Sequence, residues 1–307
     1  MSSVNECFDN VKEDCFKFLK KEKIFGKSKA EKIKSLKKIY IPISFWIENK
    51  YKKNRKTLFL GLSGGQGSGK TTVSEILKII LKIFFKREVH VSSIDDFYKT
   101  LKDRDQMSKT IHPLFKTRGV PGTHEIKLLK KFFIFFKRKR FKKFKLPKFD
   151  KSMDDRLKQE RWIRVKKKPD IVILEGWCVG AKPQKGFLLK KPINILEKYE
   201  DANCAWRKYA NEQLKREYKK IFSMIDHYIF MKIPNFNMVF KWRHLQEKKL
   251  RKRSRFKKRI MSIVEIKKFI MFYERITLQM LKDLVKSASI VIMLNTKHEI
   301  KRLIFKK

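Results

Sequence analysis

One stretch of eight residues limits the possible folds of this chain more than any other part of its sequence. It reads GGQGSGKT at positions 64–71, between an apolar run, Leu58–Leu62, and a segment of helical periodicity. Glycines allow the backbone to turn so that successive N–H groups point inward, and the following helix adds the positive end of its dipole. A strand, this loop and a helix, in that order, predict a P-loop that binds the phosphates of a nucleoside triphosphate.

The P-loop residues have separate expected roles. Lys70 is predicted to reach the β- and γ-phosphates, and the Thr71 hydroxyl to complete the coordination of a Mg²⁺ ion. The alternative is a glycine-rich turn that binds no ligand, and the complete match in the required context argues against it. The residues expected to bind the nucleotide are Gly64, Gly65, Gln66, Gly67, Ser68, Gly69, Lys70, Thr71 and Thr72.

Short apolar runs alternate with helical segments along the chain. Nearly continuous apolar runs are typical of strands that a parallel sheet buries on both faces, beneath layers of helices. The pattern therefore predicts an α/β fold, with a doubly wound and mostly parallel sheet of about five strands and flanking helices. The predicted strands are Leu58–Leu62, Val89–Ile94, Ile171–Leu174, Tyr228–Ile233 and Ile290–Leu294.

The length of 307 residues suits one elaborated domain or two small ones. The sequence shows no internal repeat and no Gly/Ser-rich linker, which favours one domain. Residues 1–54 have helical spacing at Cys15, Phe16 and Leu19, so we expect a helical extension that packs on the core. Residues 55–307 are predicted to form the main domain.

Two acids follow the second predicted strand, in the segment Ser93–Tyr98. Carboxylates at the carboxyl end of a parallel strand lie in the ligand crevice of an open α/β sheet. Asp95 is the candidate general base that takes a proton from a substrate hydroxyl. Asp96 is the second candidate for that role and a candidate Mg²⁺ ligand, whereas Tyr98 is expected in the pocket wall. The alternative is that the two acids cap the next helix.

A third acid, Glu175, ends the predicted strand Ile171–Leu174. An apolar strand that ends in an acid is typical of the Walker B motif, which helps to hold Mg²⁺, here with Glu where Asp is commoner. Asp170 lies at the opposite end of the strand and is not expected to contribute. The predicted metal ligands are therefore Thr71, Glu175 and Asp96.

Two polar segments rich in anion-binding side chains lie between these motifs, at 118–125 and 147–156. Their glycines and prolines predict loops, and loops above the sheet determine specificity. Arg and Lys side chains there could bind a carboxylate or phosphate of the acceptor. Ordinary solvated turns are the alternative, and a structural role explains His124 as well as a catalytic one does. The candidate substrate-binding residues are Tyr98, Arg118, His124, Lys148, Asp150, Lys151 and Arg156.

The chain is strongly basic, since 79 Lys and Arg against 31 Asp and Glu give a net charge of +48. Such a charge attracts polyanions, but A/T-rich codons for Lys, Ile, Phe and Asn could produce it without a polyanionic partner. Lys130–Lys145 interleaves basic residues with phenylalanines, which fits either a nucleic-acid platform or an amphipathic helix packed on the sheet. We favour the helix and expect no nucleic-acid partner.

The four cysteines, Cys7, Cys15, Cys178 and Cys204, show neither CxxC nor metal-ligand spacing, so free thiols in a reducing cytosol are expected. Met1–Glu6 lacks a basic segment followed by an apolar run, and no secretory signal is expected there. No stretch reaches about eighteen apolar residues without charge, so no membrane span is predicted. The sequence therefore predicts a soluble cytoplasmic protein.

Several motifs together resemble one known group of enzymes. GGQGSGKTT, SIDDFY, RGVPGTHE, LPKFDKSMDDR and VILEGWCVG occur in the order and spacing of the glycerate-kinase-like P-loop kinases. This group includes the plant-type D-glycerate 3-kinase, within the wider phosphoribulokinase/uridine kinase superfamily. Segments that look similar to the bacterial members follow at Trp206–Glu212, Phe240–Arg243 and Phe272–Thr277. The resemblance runs from about Ile41 to Leu294, and RGxPGTH together with ILEGW is its most specific part.

The resemblance implies a kinase that uses ATP and Mg²⁺ to phosphorylate a small, hydroxylated and anionic metabolite, with D-glycerate giving 3-phosphoglycerate. It also implies Asp95 as the base and a basic helical lid over the phosphates at about 241–262, in which Arg243 is the transition-state cation. Within 241–259 eleven residues are basic and one, Glu247, is acidic. The alternatives are a kinase of the same superfamily for another small metabolite and a nucleic-acid-dependent P-loop NTPase or binding protein.

Overall fold

The computed structural model describes residues 3–22, 28–253 and 261–306. Its strands are β1 (Leu58–Gly64), β2 (Val89–Ser93), β3 (Phe144–Leu146), β4 (Phe149–Asp150), β5 (Asp155–Arg156), β6 (Ile163–Val165), β7 (Ile171–Gly176), β8 (His227–Lys232), β9 (Ile290–Leu294) and β10 (Ile300–Phe305). In the described part of the chain, six of them form the central sheet in the order β10-β9-β8-β1-β7-β2. Strands from β9 to β2 are parallel, and β10 is antiparallel to β9.

Helices cover both faces of this sheet. They are α1 (Val4–Lys21), α2 (Lys29–Ser35), α3 (Ile41–Asn54), α4 (Lys70–Ile83), α5 (Leu101–Thr110), α6 (Ile126–Lys137), α7 (Ile195–Tyr199), α8 (Ala205–Gln213), α9 (Lys219–Phe222), α10 (Asn237–Arg253) and α11 (Ile263–Ser287). Short π-helical turns join α2 to α3 (Leu36–Tyr40) and α8 to α9 (Leu214–Tyr218). Across the residues that the structure describes, none of the helices is long and apolar enough to cross a membrane.

The five predicted strands are all present, which confirms the α/β fold with a mostly parallel sheet. The sheet has one strand more than the sequence analysis predicts, namely β10. This strand lies at the edge of the sheet, is at most half-buried and carries Lys301 and Arg302. It therefore lacks the continuous apolar run by which the buried strands are identified.

Side chains of β1 show how both faces of the sheet are buried. Leu58, Leu60 and Leu62 belong to a hydrophobic cluster with α1, α3 and α4, whereas Phe59 belongs to a second cluster with α6, α8 and α11. Successive side chains of a strand point to opposite faces, so a strand that is apolar at every position requires a hydrophobic layer on each side. These layers hold the carboxyl ends of β1, β2 and β7 at one edge of the sheet, where the predicted site residues lie.

The N-terminal helices pack on the sheet through α4. Cys7, Val11 and Cys15 of α1 are fully buried and share a cluster with Leu77 and Ile80 of α4. The treatment of residues 1–54 as a separate extension stays a prediction. All four cysteines of the chain are buried and free, as their spacing predicts.

The basic and aromatic segment Lys130–Lys145 forms most of α6 and the start of β3. Phe132, Phe133 and Phe136 are buried, and the ring of Phe133 packs on Phe59 of β1 with centroids 5.2 Å apart. The lysines of α6 are exposed. The interpretation of this segment as an amphipathic helix is thus confirmed, and its buried rings are not available to stack on bases.

Candidate active site

The P-loop joins β1 to α4 at the carboxyl end of β1. Gly64 ends the strand, residues 65–69 form the turn, and residues 70–72 begin the helix. Gly67 and Gly69 have φ angles of +74° and +93°, in the left-handed region that residues with a Cβ rarely adopt. The backbone therefore requires glycine at these two positions, and the strand–loop–helix context of the motif is present.

Lys70 lies inside this turn. Its Nζ donates hydrogen bonds to the carbonyl oxygens of Gly64 (3.0 Å) and Gly65 (3.1 Å). Burial lowers the pKa of the amine, while the carboxylates of Glu175 and Asp95 act in the opposite direction. A phosphate bound in the turn would add the negative charge that favours the ammonium form.

The predicted metal ligands Thr71 and Glu175 lie side by side. The Thr71 hydroxyl donates a hydrogen bond of 3.2 Å to Glu175 Oε1, because β7 pairs with β1 and ends beside the P-loop. Burial raises the pKa of Glu175, and Lys70 opposes that effect. Mg²⁺ prefers oxygen ligands and often takes one or two carboxylates from the protein, with water and substrate phosphates completing its shell. A hydroxyl and a carboxylate in contact beside the P-loop fit such an ion.

Asp95 lies in the 3₁₀ turn Ile94–Phe97, which directly follows β2. The parallel register places Ser93 of β2 opposite Glu175 of β7, so the turn lies beside the predicted metal site. Asp95 Oδ2 is 2.7 Å from Lys151 Nζ. Burial would raise the pKa of Asp95, but Lys151 and other neighbours lower it below its usual value. The carboxylate is therefore ionised at neutral pH, as a general base requires.

Asp96 has different partners from Asp95, although the two are adjacent. Its carboxylate lies 3.1 Å from Lys148 Nζ and accepts the backbone N–H of Phe149 at 3.3 Å. Burial raises its pKa, and Lys148 opposes the shift. Both contacts tie the turn after β2 to β4. They support an anchoring role, and the Mg²⁺ role of Asp96 stays a prediction.

The segment predicted as a loop at 147–156 is a short hairpin, formed by β4 and β5. The loop prediction is wrong there because strands of two residues are too short to show an alternating pattern. Asp154 has a left-handed φ of +54° and accepts hydrogen bonds from Arg104 and Arg118. Arg156 donates to the carbonyl oxygen of Tyr98 at 3.4 Å. The hairpin carries four of the predicted substrate-binding residues, Lys148, Asp150, Lys151 and Arg156.

His124 and Tyr98 form a buried wall beside Asp95, with stacked rings whose centroids are 4.5 Å apart. His124 Nδ1 lies 2.6 Å from the hydroxyl of Tyr218, which also accepts the N–H of Gly122. Burial lowers the pKa of His124 to about 4, so the ring is neutral at neutral pH. Its Nε2 is buried and has no partner among the described residues. This nitrogen therefore has the capacity for one further hydrogen bond.

The predicted lid, at about 241–262, begins within α10, and its residues 254–260 lie outside the described residues. Trp242 lies against the P-loop, since a Cβ at Gly67 would be 3.0 Å from its Cβ. This position suits a lid over the phosphates, which stays a prediction.

Arg243, the predicted transition-state cation, is paired with its own helix. Its guanidinium lies 2.5 Å from Glu247 Oε1 and 5.5 Å from the ring centroid of Phe269. Glu247 is almost fully buried, so this pair holds Arg243 against the helix. The catalytic role of Arg243 stays a prediction.

Three residues without a role predicted from the sequence also contribute to the site, namely Tyr218, Tyr273 and His298. Tyr273 donates a hydrogen bond of 3.2 Å to the carbonyl oxygen of Arg118, and His298 Nε2 lies 2.7 Å from the carbonyl oxygen of Gly67. Tyr273 belongs to the segment Phe272–Thr277, whose similarity to the family could have indicated that it lies in the site. No spacing rule links the other two to the motifs.

Comparisons with known proteins identify relatives of this chain. No protein-family model matches the sequence. The "Uncharacterized kinase mug58" of Schizosaccharomyces pombe is 30% identical over 228 residues, which are 71% of this chain and 80% of that protein. The chloroplastic D-glycerate 3-kinase of Arabidopsis thaliana is 28% identical over 221 residues, which are 66% of this chain and 46% of the plant protein.

A solved structure shows the same fold. The D-glycerate 3-kinase from Cryptococcus neoformans var. grubii superposes with a TM-score of 0.72 at 23% identity, over 87% of this chain and 99% of that chain. The fission-yeast relative is matched over most of its length at 30% identity, and the predicted motifs lie together at the carboxyl edge of the sheet. The chain therefore belongs to the glycerate-kinase-like family of P-loop kinases.

Proposed function

We propose that this kinase transfers the γ-phosphoryl group of ATP to a hydroxyl of D-glycerate and forms 3-phosphoglycerate. One observation carries the proposal: the P-loop with Lys70 and the Thr71–Glu175 pair faces an ionised Asp95 at the same edge of the sheet. Phosphoryl transfer depends on positioning and on neutralising charge, and this arrangement offers both. The name of the plant relative supports glycerate as the acceptor.

Thr71 and Glu175 would hold the Mg²⁺ ion through their side-chain oxygens. When bound, the ion neutralises charge on the β- and γ-phosphates. Lys70 contributes a second positive charge from within the turn, where its hydrogen bonds to two carbonyl oxygens fix its position.

Asp95 takes the proton in the transfer step. As the acceptor oxygen forms its bond to the γ-phosphorus, its proton passes to the Asp95 carboxylate, and the bond to the β–γ bridging oxygen breaks with its electrons left on ADP. A lowered pKa keeps Asp95 ionised before the step. The neighbouring ring of His124 stays neutral because burial lowers its pKa to about 4. It therefore adds no positive charge beside the Asp95 carboxylate.

The acceptor side suits a small anionic molecule. In this proposal the cations that bind its carboxylate are Arg118 and Arg156. The Tyr218 hydroxyl accepts the N–H of Gly122, so its own proton is available to His124 Nδ1. In that tautomer the unpartnered Nε2 carries a hydrogen and donates to an oxygen of the acceptor.

The test is ADP release with Mg·ATP against D-glycerate, other hydroxy acids, nucleosides, pantothenate, sugar phosphates and a polynucleotide. We expect D-glycerate alone to stimulate release, with 3-phosphoglycerate identified by phosphorus NMR. Stimulation by another metabolite alone would support the kinase reaction but identify a different acceptor. Stimulation by polynucleotide alone would instead make the net charge of +48 the better guide to function.

A further inference from the structure

The hairpin of β4 and β5 is held firmly beside the candidate base. Asp96 accepts the N–H of Phe149 at its start, and Asp155 accepts the N–H of Leu101 at 2.8 Å at its end. Asp154 accepts hydrogen bonds from the fully buried Arg104. Contacts from the turn after β2 and from α5 therefore hold the backbone of this hairpin in place.

Lys151 lies at the tip of this fixed hairpin. The carboxylate of Asp150 accepts hydrogen bonds from the backbone N–H (2.8 Å) and the hydroxyl (2.5 Å) of Ser152, which sets the turn. The Lys151 side chain remains 64% exposed, and its Nζ lies 2.7 Å from Asp95 Oδ2. Because the side chain of Lys151 is long and exposed, its amine can move while its Cα atom stays in place.

The amine of Lys151 lies close to the place where phosphate would be transferred. Burial is the largest influence on two neighbouring pKa values, since it lowers that of Lys70 and raises that of Glu175. The positive charge of Lys151 lowers both pKa values. Lys151 is thus within electrostatic range of the P-loop lysine, the predicted metal ligand and Asp95. These three groups surround the expected position of the γ-phosphoryl group.

The two candidate cations differ in how readily they can leave their partners. Arg243 pairs with Glu247, whose side chain is 6% exposed, and leaving it would strand a buried carboxylate. Lys151 pairs with Asp95 in a more exposed setting, and such pairs contribute little to stability. Exchange of its partner is therefore easier for Lys151.

We propose that Lys151 is the cation that stabilises the transferring phosphoryl group, which rests on the proposed kinase reaction. As the acceptor oxygen bonds to the γ-phosphorus, it gives its proton to Asp95, and the bond to the leaving oxygen of ADP breaks with its electrons. The proton neutralises Asp95 at the moment when negative charge increases on the phosphoryl oxygens. Lys151 therefore loses its attraction to Asp95 and gains one to those oxygens.

The test compares the wild type with Lys151→Met, Lys151→Arg and the control Lys109→Met. The Lys109–Asp105 pair has the same 2.7 Å separation and a similarly exposed lysine (69%) but lies on α5. Two rates are measured: hydrolysis of Mg·ATP without acceptor, and transfer to D-glycerate. We expect Lys151→Met to lower kcat in both by about 10²–10³-fold, the size of one transition-state donor. KM for D-glycerate should not change, Lys151→Arg should restore part of kcat, and Lys109→Met should match the wild type.

Other outcomes would overturn the proposal. If Lys151→Met raises KM for D-glycerate and leaves both kcat values intact, Lys151 binds the acceptor only. If neither rate changes, its pair with Asp95 is a surface contact without a role. A wild type that hydrolyses Mg·ATP but does not phosphorylate D-glycerate would remove the proposed acceptor, and hydrolysis would still decide the role of Lys151. Thermal denaturation of each variant shows that the fold is kept.

Discussion

The nucleotide side and the acceptor side of the candidate site differ in what holds them together. On the nucleotide side it is mainly the backbone, since the turn 65–69 connects a fully buried strand to a long helix and its carbonyls bind Lys70. On the acceptor side it is ion pairs between side chains. These pairs are Asp95–Lys151, Asp96–Lys148 and Asp154–Arg118.

The difference has a chemical reason. Preorganised backbone groups suit the phosphates that every P-loop kinase binds, whereas the acceptor side must suit one particular acceptor and the phosphoryl group that it gains. Lys151 in the Asp95–Lys151 pair is 64% exposed, and exposed ion pairs contribute only about 0–1 kcal/mol each, so this pair can be exchanged for contacts to a substrate at small cost. Substitutions on the nucleotide side should therefore abolish turnover. Substitutions on the acceptor side should each affect mainly one property, namely substrate binding, kcat or the free energy of unfolding.

The largest effect is expected from Lys70→Ala on the nucleotide side. Loss of the amine removes a positive charge from the β- and γ-phosphates, and transfer should fall by about 10³-fold or more, as for other cations that contact the transferred group. The fold should survive, because burial of the charged amine disfavours its ionised form. ADP release and thermal denaturation measure the two properties. Lys78→Ala is the control, since Lys78 lies on the same helix and, within the described part of the chain, forms an ion pair only with Glu75, at 3.4 Å. Retained turnover in Lys70→Ala would contradict the P-loop assignment.

The next effect is expected from Asp95→Asn on the acceptor side. An amide cannot take the proton of the acceptor hydroxyl, so kcat should fall by about 10²–10⁴-fold, the usual size of a general-base contribution. Binding of Mg·ATP, measured by calorimetry, should remain near that of the wild type because Lys70 and Thr71 are untouched.

Asp96→Asn is the matched variant for this prediction. Asp96 holds the hairpin through Lys148 and the N–H of Phe149, so its loss should lower the free energy of unfolding by about 1–3 kcal/mol. Turnover should fall less than in Asp95→Asn. If Asp96→Asn is instead the variant that loses turnover, the base is Asp96 and the two acids exchange roles.

The same contrast explains how far the site could be predicted from sequence. The P-loop and Glu175 depend on local patterns, a turn of eight residues and the end of an apolar strand, and they lie where those patterns predict. On the acceptor side the sequence identified the segment that holds Lys148 and Lys151. A hairpin with strands of two residues leaves no pattern, so the pairing of these lysines with Asp96 and Asp95 could not be predicted. Tyr218 lies 94 positions from His124, and only the packing of α8, α9 and the loop before α6 brings them together.

The smallest effect on turnover is expected at His124, which also governs the pH dependence of stability on the acceptor side. Burial lowers the pKa of His124 from 6.5 to about 4. Above pH 6.5 His124 is neutral in both states, and its contribution to stability is complete. Between pH 6.5 and about 4 the unfolded chain binds a proton that the folded protein does not. The free energy of unfolding should therefore fall by up to about 3 kcal/mol over this window. His124→Gln should reduce that fall in urea titrations at a series of pH values.

His90→Gln separates this effect from catalysis. Burial also lowers the pKa of His90 to about 4, but His90 lies near the start of β2, at the opposite end of the strand from the site, with its ring 5.1 Å from that of Phe136. Both variants should flatten the dependence of stability on pH, because each removes one proton uptake on unfolding. Only His124→Gln should lower kcat/KM for the acceptor, since the proposed hydrogen bond to the acceptor comes from His124 Nε2. Equal turnover in the two variants would show that His124 does not contact the acceptor, and the acceptor side would then rely on its ion pairs alone.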